Sequence, residues 1–94
     1  MLNQIVLVGK IKNLEQEGSK NLIHLEVDRP FKENGIKESD LFLCKAWAGI
    51  FNKIIKLCNL NDIIAIKGRM IQEDNEFIVM AENISIVNKS KNTV

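Results

Sequence analysis

Residues 49–58 are the one stretch of this 94-residue chain whose apolar side chains recur at helical spacing. Ile50, Ile54, Leu57 and Cys58 share a stripe, joined by Phe51 and Ile55, while Lys53 and Lys56 fall off it. That pattern predicts an amphipathic helix of about three turns. Asn61, just beyond, can take the left-handed conformation that ends helices. On either side of this stretch the sequence reads as strands, so the helix is a single insertion into an otherwise β chain. A chain that alternated strand and helix would build a parallel sheet, and this one does not alternate.

The strand readings follow from β-branched runs and period-two alternation. Residues 4–12 form the first, with Gly9 inside it predicting a bulge or sharp bend. Residues 15–19 read as a turn. Residues 21–29 alternate cleanly: Ile23, Leu25 and Val27 face one side, and His24, Glu26 and Asp28 the other. Pro30 ends that strand because it cannot donate to a ladder. A polar loop over 31–40 follows, with Asn34-Gly35 as its turn signal. Residues 41–48 place Phe42, Cys44 and Ala46 on one face and Leu41, Leu43, Lys45 and Trp47 on the other. Residues 62–72 and 76–87 are the last two strands, joined by a tight hairpin. The order β-β-β-α-β-β is that of the OB fold, an all-β five-stranded barrel with one short helix between strands three and four. An SH3-like barrel is the competing five-stranded design, and it usually lacks a ten-residue helix there. Residues 1–87 are read as this one domain, and residues 88–94 as a flexible polar tail.

Composition narrows the chemistry. Thirteen Lys and Arg stand against twelve Asp and Glu, a formal net charge of +1, and aromatic residues are only 5%. Neither number announces a polyanion ligand. The layout of charge says more. Residues 1–69 carry eleven bases and eight acids, residues 70–88 four acids and no base, and the last six residues two bases. The total averages a mildly basic set of strands with an acidic hairpin.

Cys44 and Cys58 each sit in an apolar run, fourteen positions apart, without metal-ligand spacing, so both are expected as buried thiols. One histidine, no glycine-rich phosphate loop and no nucleophile with a base at readable spacing argue against an enzyme. No cofactor and no metal are expected. No apolar stretch approaches the roughly 20 residues of a membrane span, and the start lacks a signal-peptide pattern, so a cytoplasmic location is expected.

Five segments then carry a family resemblance. Leu2-Asn3-Gln4-Ile5-Val6-Leu7-Val8-Gly9-Lys10 is similar to the opening strand of bacterial single-stranded DNA-binding proteins. Leu25-Glu26-Val27-Asp28-Arg29-Pro30-Phe31 resembles their second strand and its Arg-Pro-Phe end. Asp40 to Trp47 resembles the third, including the Cys-x-x-Trp spacing. Ile66-Lys67-Gly68-Arg69-Met70 resembles the fourth strand, and Ala81-Glu82-Asn83-Ile84 the last. The resemblance implies an OB-fold subunit that binds single-stranded DNA without sequence preference in replication, recombination or repair. It also implies a nucleoid-associated homotetramer, with a dimer like that of primosomal replication proteins as the runner-up. An OB-fold protein-interaction module is the reading without nucleic acid.

The chain departs from that family in places. Leu41 stands where an aromatic residue is frequent, Gln4 where a basic one is, and the last hairpin is short and acidic. The chain ends Asn92-Thr93-Val94 without the family's acidic tail, so tail-mediated partners are not expected.

Sequence-tolerant binding of a single strand needs cations along the phosphates and flat faces for the bases. The residues that supply these are Lys10 and Lys12 on strand one, Arg29 and Phe31 at the end of strand two, Lys45 and Trp47 on strand three, and Lys67 and Arg69 on strand four. Trp47 is read as a stacking residue against burial in the core, and Phe31 as a stacking residue against a plug in its loop. Phe42, Phe51 and Phe77 are read as core, and His24 as a surface or interface residue. Outward apolar residues (Val6, Val8, Leu43, Ile63, Ile71) point to an oligomer interface.

Overall fold

The computed structural model describes residues 1–32 and 34–89. Five strands, β1 (Ile5–Glu17), β2 (Lys20–Asp28), β3 (Ser39–Ala46), β4 (Ile63–Glu73) and β5 (Glu76–Asn88), close into a barrel in the order β1-β2-β3-β5-β4. Helix α1 (Ala48–Leu57) lies between β3 and β4. All neighbours pair antiparallel except β3 and β5, which run parallel over Cys44↔Val79 to Ala46↔Ala81. This is the OB fold that the element order predicts. β5 runs one residue past the expected end of the domain, and the tail expected from there lies outside the described residues from Ser90 onward.

Closure depends on β1 serving two neighbours. Its first half pairs with β4, from Ile5↔Gly68 to Lys10↔Ile63, and its second half with β2, from Lys10↔Glu26 to Glu17↔Lys20. The change of partner is accompanied by a register shift between Ile11 and Asn13. The bulge expected at Gly9 therefore falls at Lys12. Gly9 has a different job: a Cβ there would run into the carbonyl oxygen of Glu26, so its bareness lets β1 cross β2 closely. The strand also continues to Glu17, through the residues read as a turn, which shrinks to Gly18 and Ser19. Polar side chains did not end it, because a hairpin ladder needs backbone pairing and not apolarity.

The core is built from the inward residues of every strand, including Ile11, Ile23, Leu25, Cys44, Ile64, Ile66, Val79 and Ala81, with Phe51 and Ile54 of α1 closing one end. The helix stripe is narrower than its spacing implied. Phe51, Ile54 and Cys58 are buried, whereas Ile55 and Leu57 are exposed, because one face of a ten-residue helix meets the barrel. Phe42 packs against the core as a half-buried residue. Phe77, expected in the core, is 73% exposed. It pairs with Gln72 next to the hairpin turn, beyond the point where β3 joins β5, so no interior is left to receive it.

The segment after α1 is locked to β1 by backbone bonds on either side of Ile11: its N–H donates to the Asp62 carbonyl (3.0 Å) and its carbonyl accepts from the Asn61 N–H (2.7 Å). Asn61 takes the expected left-handed φ of 73°. The buried Asp62 carboxylate accepts from the Asn59 N–H at 2.8 Å.

Both thiols are free and buried. Desolvation pushes Cys44 up to about 12 and, with the nearby Asp62 carboxylate, raises Cys58. Since the thiolate is the nucleophile, iodoacetamide at pH 8 is expected to leave the native protein unmodified and to label both cysteines in guanidinium, read by intact mass. Rapid labelling of the folded protein would contradict their burial.

Candidate nucleic-acid interface

Strand registers place side chains on the outer surface row by row. Across β2 and β3, Leu22 faces Lys45, His24 faces Leu43 and Glu26 faces Leu41. On β1, Glu15 continues the first row, Asn13 the second and Lys10 the third. In the other direction Lys45 aligns with Met80 of β5, and Met80 with Arg69 of β4. Arg69, Met80, Lys45 and Leu22 thus make one row over four strands.

Trp47 stands where this row meets α1. It is the last extended residue before the helix (φ −67°, ψ 156°), and its carbonyl accepts the Phe51 N–H at 3.0 Å. The residue is 67% exposed. It lines a hollow of about 430 Å³ with Ser19, Asn21, Lys45 and Met80. Burial in the core is therefore excluded for Trp47.

Asn21, Ser19 and Met80 were missed from the sequence. Asn21 is buried under the hollow, accepting from Gln16 Nε2 (3.1 Å) and donating to the Ala46 carbonyl (3.3 Å). It ties the start of β2 to the chain one residue before Trp47. A buried Asn at the start of a strand leaves no sequence signal, because its partners are a backbone carbonyl 25 residues away and a neighbouring strand.

Two of the predicted cations already have carboxylate partners among the described residues. Lys45 Nζ lies 2.8 Å from Glu73 Oε2, reaching across β5 to the acidic hairpin. That bond, with a smaller pull from Lys20, holds the Glu73 carboxyl below its usual range. Arg29 makes a bidentate pair with Asp40 (3.0 and 2.8 Å) and a third bond to Glu38 (2.7 Å). The Arg29 hydrogen bond likewise lowers the Asp40 carboxyl. Arg29 thereby ties the two ends of the β2–β3 loop together, with its own N–H donating to the Glu38 carbonyl (2.8 Å). Phe31 projects from that loop, 78% exposed, so it does not plug it.

The remaining predicted residues scatter. Lys10 lines a shallow hollow with Glu26 and Asp28, both acidic. Lys12 sits on the β1 bulge, which breaks the alternation that would put it on one face with Lys10, and it donates to Asn61 Oδ1 (3.3 Å) at the helix end. Lys67 is exposed between Val6 of β1 and Asn83 of β5, one row along from Arg69. The structure thus gathers Lys45 and Trp47 around one hollow, with Arg69 next in the row beyond Met80. It sets Arg29 and Phe31 at the far end of the β2–β3 face. His24, at the centre of that face, leans toward Glu15 and not Glu26, with Nε2 buried 3.5 Å from Glu15 Oε1 and making no hydrogen bond.

By barrel order and helix position, the chain is an OB-fold protein. Solved structures share that architecture at low identity. The mitochondrial single-stranded DNA-binding protein of S. cerevisiae superposes with a TM-score of 0.77 at 10% identity, over 96% of this chain and 100% of that one. A small single-stranded DNA-binding protein from Mycoplasma pneumoniae gives 0.74 at 20% identity over 100% of both chains. One from Streptomyces coelicolor gives 0.70 at 14% identity over 93% of this chain and 94% of that one. No family model and no curated protein sequence matches this chain.

Proposed function

We propose that this protein binds single-stranded DNA without sequence preference, by stacking bases on Trp47 and Phe31 and drawing phosphates to Lys45, Arg69 and the neighbouring cations. The observation that carries this reading is the exposed Trp47 indole lining a hollow with Lys45 and Met80, in a row that ends at Arg69. An exposed indole beside a cation offers a flat face to a base and a positive charge to its phosphate. The names of the solved structures that share the fold support the same reading. Binding, and not catalysis, is the proposed activity, with a cytoplasmic, nucleoid-associated location; among the described residues no helix is long and apolar enough to cross a membrane. The test is quenching of the single tryptophan by oligo(dT) at low salt, weakening as salt rises. Absence of quenching at low salt would sink the proposal.

Assembly as a homotetramer is part of the same reading. Val6 and Val8 are exposed on β1, beside the half-buried Ile63 and Ala65 of β4. Two stacking residues per subunit bind weakly alone, and repetition within an oligomer raises effective concentration. Light scattering should give a tetramer, and a dimer would shift the assembly to the primosomal-protein-like alternative.

The acidic hairpin competes with phosphate for Lys45. Glu73→Gln removes that competitor, and affinity for oligo(dT) is expected to rise by roughly threefold at low salt, the scale of one partly exposed ion pair. Unchanged or weaker binding, measured by anisotropy, would mean that Lys45 does not meet the phosphates.

A further inference from the structure

Four lysines converge on the C-terminal end of α1. Lys53 stands one turn before Leu57, and Lys56 is its neighbour on the same helix. Lys89, just past β5, donates from Nζ to the Leu57 carbonyl at 2.7 Å. Lys12 reaches the same corner from the β1 bulge through Asn61. Lys53 and Lys89 both lie close enough to Cys58 to favour its thiolate. Among the described residues none of these lysines forms an ion pair with a carboxylate.

The helix does not need so many cations. The C-terminal end of its dipole carries about half a negative charge and Asp62 can add at most one more, so about two and a half of the four positive charges remain. Within the ring, Leu57 and Leu60 are 40% and 51% exposed. The patch lies at the opposite end of α1 from Trp47, about 15 Å along a helix of this length. Its apolar residues are branched aliphatics, which offer a base no flat face. Uncovered aliphatic side chains ringed by lysines that, among the described residues, have no carboxylate partner match a ligand that is acidic and apolar at once.

We propose that this corner, built by Leu57, Leu60, Lys12, Lys53, Lys56 and Lys89, is a docking surface for an acidic segment of a partner protein that carries aliphatic side chains among its carboxylates. The lysines steer the segment and set its charge preference, and the two leucines take its apolar side chains. The surface is separate from the stacking row, so both ligands can be held together.

The test is fluorescence anisotropy of a short fluorescein-labelled peptide of aspartates and leucines, titrated with the whole protein at low salt. Binding is expected, weakened at least tenfold by the double variant Lys53→Glu/Lys56→Glu and about fivefold by Leu60→Ser. The same peptide with serine for leucine should bind about fivefold less tightly. Oligo(dT) binding should be unchanged in Leu60→Ser. All of these positions are exposed, and circular dichroism of each variant checks that the fold is kept. No binding of the aspartate–leucine peptide overturns the proposal. So does equal binding of the serine peptide, which would reduce the patch to charge alone. A parallel loss of oligo(dT) affinity in Leu60→Ser would assign the corner to nucleic acid instead.

Discussion

Replacing Gly68 with alanine is expected to unfold this protein or to remove about 3 kcal/mol or more of its stability, the upper end of what overpacking costs. Gly68 sits on β4 at the register shift against β5, where a Cβ would run into the carbonyl oxygen of Met80 and press on the Ala81 Cα at 3.2 Å. Both atoms belong to backbone held in the barrel ladder, so neither can swing aside as a side chain would. Gly9→Ala meets the Glu26 carbonyl where β1 crosses β2 and should be similarly severe. A loss of that size is a large share of the roughly 5–15 kcal/mol that hold a domain together. Gly49 is the control. It lies in the first turn of α1 with nothing near its absent Cβ, and alanine there should stabilise by about 0.5–1 kcal/mol through helix propensity. Urea denaturation followed by circular dichroism measures all three. If Gly68→Ala unfolds at the wild-type midpoint, the close approach of β4 and β5 is wrong.

These two glycines mark where sequence reading stopped. Gly9 was visible as an oddity inside an apolar run, but a run shows only that a side chain is missing. The reason, a carbonyl of another strand pressed against that position, exists only after the barrel closes. The alternating residues of β2 and the period change at α1 were legible because burial on one face writes itself into spacing. Asn34-Gly35 and Asn61 were legible because left-handed backbone selects few residue types, and all three adopt positive φ. Phe77 was misplaced because apolar neighbours are shared by core strands and by a hairpin that outruns its sheet. The same limit applies to charge. Lys45 and Arg29 were readable as outward cations, yet not that Glu73 and the Glu38–Asp40 pair would already hold them. Sequence shows which face a side chain takes, and partners from distant strands appear only in three dimensions.

With Lys45 and Arg29 so engaged, the aromatic residues should dominate affinity, and their removal should give the largest functional loss. Stacking contributes roughly 1–3 kcal/mol per base, so Trp47→Ala should weaken binding of a labelled oligo(dT) by about 5- to 150-fold. Phe31→Ala should fall at the lower end of that range, because its loop is tied at Arg29 but its ring projects alone. The two residues stand at opposite ends of the β2–β3 face, so their effects should add in the double variant. Both side chains are exposed, and the fold should survive each change with little loss of stability. Trp47→Phe keeps a flat ring and should recover part of the affinity, which separates stacking from mere bulk beside the hollow. The salt dependence supplies an independent check: aromatic variants should lower affinity at every salt concentration while leaving the slope of log affinity against log salt unchanged, since that slope counts phosphate contacts. If Trp47→Ala binds as tightly as the wild type, the row beside α1 is not the path of the strand. If the slope collapses together with the affinity, Trp47 positions the neighbouring cations and does not itself stack on bases.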